Sequence, residues 1–258
     1  MAMKFDPKKD VTRSLKFKPL ADLGNLCLGT LQKVEVTMNE VPKFKDDGSE
    51  SMFEYAGHTL PSLKFVFKNH LRKEDKDRAE RFFTYVESVI ISKKNDGTPM
   101  DTKVLTNLYE QMWDRLKHIH DAYSNEENYK PFGELPEIDE TADVDVRVTQ
   151  FTKFFKTVAD AFNKGKGGKA IFTDKEGNGL PVAIKLLANY PSGKWLTIPN
   201  FVGEGFIERF IPGRPLTIEV KPGESVALKG GKVSDSGGSG VSSSDVPKEI
   251  MDMLNKDA

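Results

Sequence analysis

Apolar and polar residues alternate through residues 29–38, where Val34, Val36 and Met38 share one side, and this period of two predicts a strand. The alternation returns over residues 60–70, with Leu63, Phe65 and Phe67 on one face and Lys64, Val66 and Lys68 on the other. A third strand is predicted over 81–91, rich in Phe82, Phe83, Tyr85, Val86, Val89, Ile90 and Ile91. A polar loop (39–52) and a charged run (72–80) separate these strands, and Asn95 to Pro99 breaks the pattern. The period then lengthens. Over 102–123, Leu105, Leu108, Tyr109, Met112, Leu116, Ile119 and Tyr123 form a helical stripe with Val104. After an acidic, Pro-containing loop at 125–145, Phe151, Phe154, Phe155, Val158 and Phe162 mark a second helix over 146–163, ended by Gly165. Segments 170–173, 180–190, 194–199 and 216–220 are further candidate strands, with turns at 174–179 and 191–194 that would close hairpins.

Three strands, a helical section and three or four more strands predict an α+β protein with a β-barrel core. The OB-fold is a five-stranded barrel with helical matter between its third and fourth strands, and an OB-fold-like barrel with a two-helix insertion satisfies this order. A β-sandwich or another small barrel is the alternative. Leu63, Phe65 and Phe67 are expected to point inwards, and the phenylalanines of the second helix to be core. The expected organisation is a basic arm (1–22), a barrel domain (23–229) with its helical insertion at about 99–165, a Gly/Ser-rich disordered linker (230–244) and an acidic-apolar peptide (245–258).

With 258 residues, 38% hydrophobic and 30% charged, the chain can build a real core but is strongly solvated. No stretch nears the roughly eighteen apolar residues of a membrane helix, and no apolar segment follows the basic N-terminus as a secretory signal requires. The single cysteine, Cys27, excludes an intrachain disulfide and a cysteine-based zinc site, so a reducing cytoplasm fits best. The net charge of −1 hides a segregation. Residues 125–145 carry eight acidic side chains against Lys130, and the last fourteen carry four against two, which leaves the rest of the chain basic.

Motifs for chemistry are sparse. His118 and His120 stand two apart on a helix and cannot ligate one ion from one face. The loop Asp174-x-Glu176-x-Asn178-Gly179 opens like a calcium loop, but Lys185 stands where a bidentate Glu is needed. Gly165-Lys-Gly-Gly-Lys169 lacks P-loop spacing and reads as a basic loop against a polyanion, or as a solvated turn. With no nucleophile elbow, kinase set or dinucleotide fingerprint, the chain reads as a binding protein without cofactor or metal rather than an enzyme.

Aromatic and basic residues do interleave on the strands. That pairing suits single-stranded nucleic acid, because rings stack on bases while Lys and Arg neutralise phosphates. The candidate phosphate contacts are Lys64, Lys68, Arg81, Lys185, Lys194 and Arg209, and the candidate stacking rings are Tyr85, Tyr190 and Trp195. The C-terminal peptide offers Val246, Ile250, Met251 and Leu254 to a protein partner, held near the groove by the linker.

Three stretches carry a resemblance: Phe53-Glu-Tyr-Ala-Gly-His-Thr-Leu-Pro-Ser-Leu-Lys-Phe65, Phe151-Thr-Lys-Phe-Phe-Lys-Thr-Val-Ala-Asp-Ala-Phe162 and Gly193-Lys-Trp-Leu-Thr-Ile-Pro-Asn-Phe-Val-Gly-Glu-Gly-Phe-Ile-Glu-Arg209. In layout, over roughly residues 25–222, the chain resembles the OB-fold single-stranded-DNA-binding proteins of tailed bacteriophages. The resemblance implies a role in replication or recombination, a coating mode on DNA, replication proteins as partners of the C-terminal peptide, and no cofactor. The helical insertion and the balanced net charge depart from it. Two other readings stand beside it: a phage structural or assembly adaptor with no nucleic-acid role, and an enzyme using Asp139 and Asp143 of the acidic loop to hold magnesium.

Overall fold

The computed structural model describes residues 26–69, 82–94, 96–125, 128, 130–132, 138–185, 187–188, 196–197, 205–212 and 214–218. The predicted arm, linker and C-terminal peptide lie outside them. The alternating segments build a five-stranded antiparallel sheet from β1 (Leu26–Glu40), β2 (Thr59–Asn69), β3 (Phe82–Ser88), β4 (Pro181–Lys185) and β7 (Ile207–Arg209), in the order β3-β2-β1-β4-β7. A small second sheet pairs β5 (Leu187–Ala188) with β6 (Leu196–Thr197), so the predicted strand over 180–190 is split in two. Between β3 and β4 the described residues form two helices, α1 (Thr102–Tyr123) and α2 (Val144–Asn163). Neither is long and apolar enough to cross a membrane.

β1 is the pivot of the sheet. Leu26 to Thr30 pair with β4, and Gly29 to Glu40 pair with β2. The register slips between Leu31 and Lys33, a bulge at Gln32 where the strand changes partners. Such an extra residue bends a strand and increases its twist. Gly29 stands where all three strands meet. A Cβ there would lie 2.9 Å from the Lys68 carbonyl oxygen, so only glycine fits the approach.

The alternation on β2 resolves as expected, with Leu63, Phe65 and Phe67 fully buried. They meet α2, where Phe151, Phe155, Val158 and Phe162 are also fully buried; Phe65 and Phe162 pack edge to face with centroids 5.2 Å apart. α1 adds Met112, Leu116 and Ile119 to the same core, while Val104, part of the predicted stripe, is exposed. The helices are therefore half of the principal core, rather than an insertion beside a barrel core. The sheet is open in this strand order, with β3 and β7 at its edges, and the described residues do not close a barrel.

Three loops end in the same device. Lys45–Ser49, Lys94–Thr98 and Asp174–Asn178 are each closed by a backbone hydrogen bond from the first residue's N–H to the fifth residue's carbonyl. In each, the fourth residue, Gly48, Gly97 or Gly177, donates to the first residue's carbonyl at φ +81°, +81° or +95°. This is a tight turn followed by a left-handed glycine. Thr173 only bridges Gly179 at the base of the third device, so the strand predicted over 170–173 does not form. Residues 216–218 of the strand predicted over 216–220 are not strand either.

Candidate functional site

The nominated residues divide between two surfaces. Lys64 and Lys68 lie on the face of β2 turned away from the helices, half-buried, with Lys33 and Glu35 of β1 and the exposed Thr84 and Val86 of β3 on the same face. Lys33 and Glu35 are ion-paired at 2.6 Å. Arg209 lies on β7, opposite Val182, on the helix side of the sheet. Lys64, Lys68 and Arg209 therefore do not share one groove. Arg81, Tyr190, Lys194, Trp195, Val246, Ile250, Met251 and Leu254 lie outside the described residues.

Two nominations are corrected. Tyr85 is no open stacking ring, since it faces the core at 7% exposure and donates its hydroxyl proton to Glu87. Arg115 of α1 closes this group, with Nε 2.6 Å and Nη2 3.0 Å from the two Glu87 oxygens. Desolvation and the Glu87 charge push the Tyr85 pKa well above its usual value, which keeps the phenol protonated. Lys185 is 6% exposed at the end of β4, a strand between two others with both faces covered, so it is withdrawn from any open phosphate track.

A cleft of about 820 Å³ opens at the C-terminal end of α1. Five cationic side chains line it: Lys166 and Lys169 from the glycine loop, Lys175 from the third hairpin, Arg209 from β7, and Arg214. Three carboxylates also line it, but two are already engaged with backbone amides. Asp174 accepts from the Glu176 and Asn178 amides, both at 2.8 Å, and Glu208 accepts from the Thr217 and Ile218 amides at 2.6 and 3.1 Å. Desolvation works against the Asp174 charge, but the surrounding donors outweigh it and hold the pKa below the usual carboxylate value.

The glycine loop is held by geometry. Gly165 donates to the Lys169 carbonyl, Gly168 donates to the Gly165 carbonyl, and Gly167 and Gly168 are left-handed at φ +94° and +82°. A Cβ on Gly165 would lie 2.5 Å from Ile171 Cγ2. Asn128 braces the wall, accepting from the Lys166 amide through its carbonyl and donating to the Tyr123 carbonyl through its side chain. At the inner end Arg209 Nη1 is buried with no hydrogen-bond partner among the described residues. Burial lowers the Arg209 pKa, and Tyr123 and Asp174 offset this only in part.

The basic reading of Gly165 to Lys169 thus lands on the cleft, whereas Lys175 and Arg214 carried no distinguishing pattern. Their roles come from folding, one from a hairpin tip and one from the chain after β7. His118 also reaches the cleft, with Nδ1 2.7 Å from the Asp114 carbonyl oxygen and its ring against Phe206. Asp139 spends its carboxylate on the Thr141 amide and hydroxyl, and Asp143 starts α2. No cluster of three potential metal ligands occurs among the described residues. Compared with protein-family models, curated proteins and solved structures, the chain matches none.

Proposed function

We propose that this chain is a sequence-tolerant single-stranded DNA-binding protein that coats DNA during replication or recombination. The observation that carries the reading is the cleft, where five cationic side chains from four segments converge and two of the three carboxylates are already engaged. A cationic groove that follows a phosphate backbone is the electrostatic half of single-strand binding. Lys64 and Lys68, on the sheet face opposite the helix-packed one, extend positive charge to a second surface. The strand order also supports it. A first strand placed between the second and the fourth, with helices between the third and fourth, is the order of an OB-fold barrel laid open at one seam. The stacking half of the reading rests on Tyr190 and Trp195.

Titration of oligo-dT into the full chain at two salt concentrations tests this. Binding is expected at low salt and weakens as salt rises, with a log–log slope of about −0.7 per neutralised phosphate. Lys64→Glu/Lys68→Glu is expected to lower affinity for every base sequence alike and to flatten the slope. No binding at low salt, or binding indifferent to salt, defeats the proposal.

A further inference from the structure

Two donors that line the cleft and feel each other's charge have no acceptor among the described residues. Tyr123, the last residue of α1, is 3% exposed; the Leu31 backbone amide approaches its hydroxyl oxygen, but among the described residues the hydroxyl proton has no acceptor, and the group feels the Arg209 charge. Arg209 Nη1, which feels Tyr123 in turn, is buried and likewise has no acceptor among the described residues. A buried donor without an acceptor is a standing cost to the fold, and a bound anion relieves it. Two of the three lining carboxylates are already taken, Asp174 by the amides of its own turn and Glu208 by those of Thr217 and Ile218. Lys166 and Lys169 stand exposed at the rim on a loop whose shape is set by Gly165.

We propose that the inner end of this cleft is a phosphate-binding subsite, in which the Arg209 guanidinium and the Tyr123 hydroxyl donate to one phosphate group and Lys166 and Lys169 close the rim. A phosphate suits the site because its several acceptor oxygens can take the guanidinium and the hydroxyl together, and its charge matches the cationic excess. Where the phosphate belongs to a strand, the inference rests on the single-strand reading. The subsite itself is measured without DNA, so the two ideas fail separately.

Inorganic phosphate is titrated into the full chain against chloride at matched ionic strength, and thermal unfolding is followed. Phosphate is expected to raise the unfolding temperature of the wild type and to leave Arg209→Gln unmoved. Tyr123→Phe is expected to weaken phosphate about tenfold, the loss of one charge-assisted hydrogen bond. Should Arg209→Gln fail to fold, the exposed pair Lys166→Gln/Lys169→Gln carries the test by weakening phosphate about tenfold as well. Oligo-dT with and without a 5′-phosphate identifies the source. Tighter binding of the phosphorylated strand, lost in Arg209→Gln, assigns the site to a strand end, and phosphate binding without that gain assigns it to a free phosphate compound. Equal responses to phosphate and chloride, or a phosphate response that survives Arg209→Gln, overturn the subsite.

Discussion

Arg147 shows how much one buried side chain can organise. It is 2% exposed on α2, and its Nη2 lies 2.6 Å from Glu54 Oε1. Its Nη1 donates to Ser92 Oγ at 2.8 Å and to the Tyr55 hydroxyl at 3.2 Å, while Glu54 accepts the Ser92 amide at 2.6 Å. One guanidinium thereby ties the turn before β2 and the chain after β3 to the start of a helix about ninety residues further on. Removing one partner of such a pair leaves a buried charge uncompensated. Glu54→Gln is expected to destabilise the fold by about 3 kcal/mol, the low end for a broken buried pair because Glu140 stays within 3.9 Å. Urea unfolding at neutral pH measures it, and a change below about 0.5 kcal/mol, the range of an ordinary surface substitution, would show that the pair contributes little.

The elements follow from their periods. Leu63, Phe65 and Phe67 at every second position, and Phe151, Phe154, Phe155, Val158 and Phe162 at helical spacing, gave both the element and its buried face. Their partners were not legible, because periodicity says which side is apolar and not what will cover it. Tyr85 looked available until Arg115, thirty residues away, proved to be the cation for Glu87. Lys185 is a candidate phosphate contact by its place among aromatic and basic residues, but β4 is covered on both faces. The glycine loop was visible as composition, while its shape depends on Ile171 and Asn128. At that loop Gly165→Ala is expected to cost about 2 kcal/mol, since the added methyl group overpacks against Ile171 Cγ2. Calorimetry measures the loss, and weaker oligo-dT binding is expected with it as the rim lysines shift. Unchanged stability and affinity together would separate the loop's shape from the cleft.

For the whole molecule, the two tryptophans report on different regions. Trp113 is half-buried in α1 against Phe132 and Phe154, at centroid distances of 4.9 and 6.2 Å, while Trp195 remains the nominated stacking ring. Trp113→Phe is therefore expected to retain the fluorescence change on adding oligo-dT, and Trp195→Ala to abolish it and weaken every sequence alike. A signal that disappears with Trp113 would move the reporter into the helical layer. The partner change along β1 acts on a longer timescale. β1 meets β2 soon after both are made, but its pairing with β4 joins Leu26 to Lys185. At ribosomal speeds of roughly 5–20 residues per second, that second edge waits about 8–30 s for its neighbour. Through that interval the nascent chain presents an unsatisfied ladder in the middle of its future sheet, so its yield in the cell depends on whatever shields newborn polypeptides as much as on the strength of the finished fold.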